Sequence, residues 1–171
     1  MNVADLKLGE CYWQQIKSLV QGQDVYKRLF HKLHLLELMN HQIQVFLPSP
    51  SMQEAVSSII REILFFPDIH QQTESNRDML AVSMQIFMLS SQAQAISHCV
   101  FTFLDVFKRG GDDEKFLLTL MNRYGVKVHL KLLQFVNNKS AQTVSDPVCR
   151  ILDYLFAKSP ALVFEVDNNA Y

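Results

Sequence analysis

The sequence predicts an all-α domain, and three observations carry that expectation. Apolar residues recur every three or four positions in segment after segment, as at Leu8, Tyr12, Ile16 and Leu19, the spacing of one helical face. No stretch between turn signals sustains the two-residue alternation of a half-buried strand. Glycine and proline number five each in 171 residues, about half the ordinary usage and too few for a turn-rich β-sandwich. With 49% apolar residues, a chain of this length has material for one domain with a substantial core.

Punctuating residues divide the chain into helices. The first runs from about Asp5 to Val20 and stops at Gly22. A second periodic stretch, Val25 to Leu47, passes through Leu29, Leu33, Leu36, Met39, Ile43 and Phe46. It exceeds the usual globular helix, so a bend or division near His31 is expected, and Pro48 and Pro50 end it. Ser51-Met52-Gln53-Glu54 has the S-x-x-E form of a capping box and opens a helix that Pro67 terminates. Further helices are expected over Asn76–Leu89, Gln92–Arg109, Glu114–Arg123 and Val126–Val136. Gly110-Gly111-Asp112-Asp113 breaks the chain before the third of these, and Gly125 sits where a left-handed C′ residue is wanted. Ser145-Asp146-Pro147 reads as a cap with a first-turn proline, opening a last helix to about Lys158. Ser159-Pro160 repeats that signal before the short apolar tail ALVFEV.

Composition narrows the function. Sixteen basic and seventeen acidic residues give a formal charge of −1, so no global field draws the chain to nucleic acid or an anionic membrane. The apolar runs are too short to span a bilayer, and MNVADLKLGE lacks the basic cap and apolar core of a secretory signal. The expected setting is intracellular, cytoplasm or nucleus, with no membrane. Cys11, Cys99 and Cys149 are odd in number and lack close pairing, which reads as buried reduced thiols rather than disulfides or a zinc site. Asn138-Lys139-Ser140 matches a glycosylation sequon but reads as a polar loop.

A repeat lies under the pattern. AVSSIIREIL from Ala55 aligns with AISHCVFTFL from Ala95 at an offset of 40, and with VCRILDYLF when Val56 is set on Val148, an offset of 92. The last interval holds two periods plus twelve residues, for which the loops at 109–113 and 137–144 have room. From about Leu33 to Ala161 the chain resembles the armadillo family of helical repeats. GVKVHLKLL from Gly125 is similar to that family's second helix, DPVCRILDYL to its third, and LPSPSMQEAVSSIIREIL from Leu47 to its loop and third helix. Val128 stands where the family usually has proline, and Glu62, Thr102 and Tyr154 stand where its peptide-binding members carry asparagines. The resemblance implies a right-handed superhelix of about three repeats over 33–161, with residues 1–32 as a helical cap and 162–171 as a tail. A compact helical bundle is the alternative. Leu36, Ile60, Leu64, Phe87, Val100, Leu104, Leu133, Leu152 and Leu155 are expected in the core.

Catalytic and metal signatures are absent from the sequence. Gly110-Gly111 lacks a phosphate-loop frame, and neither HExxH nor GxSxG occurs. His31, His34 and His41 fit one helical face, yet a metal needs three or four converging ligands. Met79, Met84 and Met88 read as core before they read as an adaptable binding surface. Ser49-Pro50 and Ser159-Pro160 fit proline-directed phosphorylation, although a helix entrance already accounts for both. No enzyme activity, cofactor or metal is expected.

The expected function is a scaffold or adaptor that binds another protein or a peptide segment, with self-association through exposed repeat ends as a variant. In the resembled family, two third-helix positions one turn apart project into the concave face. Carried across, these are Ser58 and Glu62, His98 and Thr102, and Arg150 and Tyr154. Arginine and tyrosine are enriched at interface hot spots, so Arg150 and Tyr154 are the expected anchors. The competing class is a nucleic-acid-associated adaptor, or one for an acidic partner, using Arg123, Lys127 and Lys131, an i,i+4 stripe if the helix continues through Gly125. A small-molecule carrier would need an enclosed pocket.

Overall fold

Helices are the only regular elements in the described part of the computed structural model, which comprises residues 3–33, 35, 38–39, 48–67, 73–136 and 142–158. There are eight extended helices among them: α1 (Val3–Gly22), α2 (Asp24–Lys32), α3 (Pro50–Ile63), α4 (Thr73–Leu89), α5 (Ala93–Arg109), α6 (Gly111–Tyr124), α7 (Val126–Val136) and α8 (Gln142–Lys158). The chain divides into two compact units, Met1–Cys99 and Val100–Tyr171, with the boundary inside α5. Among the described residues, no helix is long and apolar enough to cross a membrane. The expected core residue Leu36, the tail, Ser159-Pro160, the sequon and two of the three stripe histidines, His34 and His41, lie outside the described residues.

In the first unit, Gln23 alone separates α1 from α2. Its extended backbone (φ −152°, ψ 142°) interrupts what would otherwise be one long helix. The second helix stops at Lys32 with Leu33 as its C-cap, which agrees with the division expected near His31. Helix α3 begins two residues earlier than the capping box predicts. Ser49 is the N-cap, its Oγ accepts from the Met52 amide at 3.3 Å, and Pro50 takes the first helical position. Pro50 lacks the N–H that would go unpaired there and its φ is already helical, so the serine before it makes the better cap. Glu54 is thereby released from capping for another role. Trp13, Phe30, Met52, Ile59, Ile60, Ile63, Leu64 and Phe87 are buried in this unit.

In the second unit, Gly110 and Gly111 adopt φ +73° and +82°, and α6 then opens with Asp112, Asp113 and Glu114 in its first turn, where the helix dipole favours carboxylates. Gly125, at φ +59°, closes α6 as expected, its amide donating to the Met121 and Asn122 carbonyls. Helix α8 starts at Gln142 rather than at Ser145, so Pro147 lies inside it. Ser145 does a different job: its hydroxyl donates at 3.0 Å to the Val136 carbonyl at the end of α7. Phe103, Leu117, Met121, Val128, Leu132, Val148, Ile151 and Leu155 are buried.

The aligned segments fall in α3, α5 and α8, and one register is buried in all three: Ile60, Val100 and Leu152, then Ile63, Phe103 and Leu155. Of the expected core, Leu133 is half-buried, because Leu132 takes the inward position on α7. Met79 and Met84 are core, with Met88 half-buried. Cys99 is buried as expected, but Cys11 is exposed and Cys149 half-exposed, since each lies off the buried stripe of its helix.

Candidate interaction site

Three stripes run along α1. Gly9, Trp13, Ile16 and Val20 follow the helical period, and the last three of these are buried. A second stripe is polar and engages α3. Ser49 donates to Glu10 at 2.6 Å, and the Gln14 amide donates to the Ser51 carbonyl and hydroxyl and to Glu54. Lys17 reaches Glu54 at 2.7 Å, and Gln21 donates to Ser58 at 2.8 Å. Residue numbers rise together on both helices, so α1 and α3 run parallel. The close approach uses Gly9, where a Cβ would fall 2.9 Å from the Met52 methyl. Lys27 of α2 extends the ladder with ion pairs to Glu62 and Asp24 at 3.2 and 3.3 Å.

Glu54 is the hub of the ladder and is itself buried, with Lys17, Gln14 and, at 3.5 Å, His98 around it. Burial pushes its carboxyl up, but the hydrogen bonds from Lys17 and Gln14 and the charges of Lys17 and His98 outweigh this and hold it below its ordinary value. Burial is also the largest influence on His98. It lowers the imidazole, the Arg61 and Lys17 cations add to the effect, and Glu54 offsets only part of it. Burial likewise works against the Lys27 ammonium, yet Glu62 and Asp24 leave it above its ordinary value.

The third stripe of α1 is mainly apolar, interrupted by Gln15, and faces outward. Leu8, Tyr12 and Leu19 are exposed, from 40% at Tyr12 to 73% at Leu8, with Cys11 also in this sector. On α2 the i, i+4, i+8 series Val25, Leu29 and Leu33 is exposed in the same way. Six of the seven large apolar side chains exposed among the described residues lie on this stretch, Leu89 being the other. Between α1 and α2 is a cleft of about 110 Å³ lined by Ile16, Leu19, Val20, Leu29, Phe30 and Leu33 among others. A shallower, open groove of about 570 Å³ follows Cys11, Gln14, Gln15, Ser18 and Leu19.

The six positions expected to line a solvated groove have unlike surroundings. Ser58 is buried under Gln21, and every residue from Met52 to Ile60 is buried with it, which corrects the open face expected along α3. The neighbouring helix α1 covers that side. Glu62 is half-exposed in its pair with Lys27, and His98 faces Glu54. Thr102 is buried, a second correction, because α5 is apolar around it. Arg150 is exposed and pairs with Asp146 at 3.0 Å. Tyr154 is half-buried, its ring stacked on Phe107 at 4.4 Å with the Lys158 ammonium 5.6 Å away.

The basic stripe is also corrected. Arg123 and Lys127 are exposed and Lys131 is half-buried, but Gly125 ends α6 between the first two, so no continuous helix carries all three. His31 is half-buried on α2. Among the described residues, no group of three His, Cys, Asp or Glu side chains is placed to hold a metal ion. Sequence reading missed the outward face of α1–α2 as a site, although its signal was present: two apolar stripes on one helix where a surface helix needs one.

Comparison with protein-family models, curated proteins and solved structures finds no match for this chain.

Proposed function

We propose that this chain is a non-enzymatic protein-interaction module of stacked helical repeats, and that it receives its partner on the outward face of α1–α2. The observation that carries the reading is the run of six exposed large apolar side chains from Leu8 to Leu33. Contiguous exposed apolar surface marks interaction sites, whereas scattered single residues do not. Fully burying one Leu or Val side chain is worth roughly 1.5–3 kcal/mol, so covering a few of these supplies a real drive for association. The repeat reading is supported by the shared buried register of α3, α5 and α8 and by the parallel pairing of α1 with α3 at separations of 37 to 40 residues. Those separations lie close to the 40-residue offset between the aligned segments, which supports reading α1 as a further member of the series.

Site-specific photo-crosslinking in the native cell type tests the proposal. A photoreactive residue at Tyr12 or Leu29 is expected to yield a discrete adduct with another protein, and one at Asp153 of α8 is not. Equal adducts from all three positions, or none at Tyr12 and Leu29, would refute the assignment of this face.

A further inference from the structure

We infer that the partner lays a helix with uncharged facing side chains along the outer groove of α1, parallel to it, as α1 itself lies along α3. This rests on the interaction reading above and adds the pose and chemistry of the occupant. The groove runs from Cys11 to Leu19, and its five lining residues stand 40 positions before Ser51, Glu54, Ala55, Ser58 and Ile59. That second set is the side of α3 on which α1 lies. Gln14 donates to Ser51 and Glu54, Lys17 pairs with Glu54, and Gln21 donates to Ser58.

Burial follows the same offset. Ile16 and Val20 of α1 fall on Val56 and Ile60 of α3 and on Ile96 and Val100 of α5, and all six are buried. Leu19 falls on Ile59 and Cys99, yet those two are fully buried whereas Leu19 is 46% exposed. Likewise Ser18 is exposed where Ser58 is buried. The core register thus continues into α1, while the register that on α3 receives a preceding helix stays open there. Each unit of a repeat array buries its face against a neighbour, so one more helix set at the same step completes the register. Residue numbers rise together on α1 and α3, and an occupant related to α1 by that step runs parallel too.

The two seats differ in charge. On α3 the seat contains the Glu54 carboxylate, and α1 answers it with the Lys17 ammonium at 2.7 Å. The groove on α1 has Gln14 at that position, and none of its lining residues is Asp, Glu, Lys or Arg. A charge pressed into it would be desolvated without a partner, whereas neutral amide or hydroxyl side chains match Gln15 and Ser18 and an aliphatic one covers Leu19. The exposed side of α8 bears Asp146, Arg150 and Asp153, so α8 of a second copy does not meet this requirement.

Panning a displayed library of helices as long as α1 against the full chain tests this, with the facing positions (those of Gln14, Lys17 and Gln21 in α1) randomised. Selected helices are expected to carry neutral residues at the position equivalent to Lys17, and their binding should change less than about twofold as salt rises. Ser18→Arg, which puts a cation and a long side chain into the groove, should weaken them at least about tenfold. Ser18 is exposed, so this variant keeps the fold, as circular dichroism and an unchanged Tm verify. A photoreactive residue at the N-terminal end of a selected helix should crosslink near Leu8, and one at its C-terminal end near Leu19. Binders that need Ser18 but are charged at the facing position, or that crosslink in the reverse order, would overturn the inference and leave the docking face standing. So would binders abolished by Leu29→Asp and indifferent to Ser18→Arg. An absence of binders sensitive to either variant would overturn both readings. Wild type that self-associates in sedimentation while Ser18→Arg stays monomeric would make the occupant a second copy and refute the inference.

Discussion

Helices α1 and α8 show opposite uses of an outward face. On α8, Val144, Val148, Ile151, Leu152 and Leu155 are buried, and the exposed side carries Asp146, Arg150, Asp153 and Lys158. That is the ordinary division of a surface helix. On α1 the polar stripe of Gln14, Lys17 and Gln21 is spent on α3, while Leu8, Tyr12 and Leu19 face outward beside exposed Gln15 and Ser18. A helix whose polar stripe is internal and whose outer stripe is apolar has the pattern of a helix between two neighbours. A shared sequence register does not imply a shared environment. Ser58, His98 and Arg150 are equivalent by offset, yet they are buried, half-buried and exposed in turn.

The largest effect is expected from truncating the inner rather than the outer stripe of α1. Trp13→Ala, removing a side chain only 1% exposed, is expected to cost about 3–5 kcal/mol in denaturant unfolding. Tyr12→Ala, its neighbour on the outer stripe, should cost under about 1 kcal/mol. Similar losses at both positions would mean that α1 buries both faces.

Next in size is the ladder. Glu54→Ala leaves Lys17, Gln14 and His98 without their shared acceptor and is expected to cost about 2–3 kcal/mol in unfolding, with a lowered Tm. Substituting Asp146 on α8, whose partner Arg150 is exposed like itself, should change stability by no more than about 0.5 kcal/mol. The contrast separates an internal polar stripe from a solvated one.

Acidification probes the same ladder. The His98 imidazole is held below its ordinary 6.5 in the fold, so the unfolded chain binds the proton first, and stability falls as pH drops below about 6.5. Glu54 is held below its ordinary 4.5, so its contribution is present above that value and is lost as pH falls further. Lys27 has the opposite sign: its stabilisation is present below its ordinary 10.5 and is lost as pH rises through the higher folded value. Chemical denaturation across pH 4–7 should show the first loss flattened by His98→Gln. An unchanged profile in that variant would remove His98 from the ladder's electrostatics.

The smallest effect is expected on the outer face itself. Leu29→Ser and Leu33→Ser should leave unfolding free energy within about 0.5 kcal/mol of wild type. A large loss would show that the stripe is already covered within the protein.

The helices were largely legible because their signals are local. Gly125 ended α6 where expected, and the apolar period placed Ile60, Val100 and Leu152 in the core, whereas α3 stops at Ile63, three residues before the expected end at about Phe66. The period also misled. Leu8, Tyr12, Ile16 and Leu19 read as one apolar face, yet only Ile16 of the four is buried, and the inward stripe belongs to Trp13 and Val20 as well. Both stripes satisfy a 3.6-residue repeat, so periodicity alone does not choose between them. Ser51 and Glu54 satisfied a capping pattern that Ser49 and Pro50 pre-empted, and Glu54 became the partner of Lys17.

What the sequence determined by itself is therefore where most of the described helices lie and which positions within each repeat one turn apart, consequences of backbone hydrogen bonding and side-chain spacing along a few residues. What only tertiary structure decided is which stripe of each helix meets water. That choice depends on the neighbour a helix acquires: Ser58 is buried because Gln21 lies across it, and Leu29 is exposed because the described chain places no helix over it. Exposure is a property of the pairing of two surfaces, and no window of sequence around either residue contains the other.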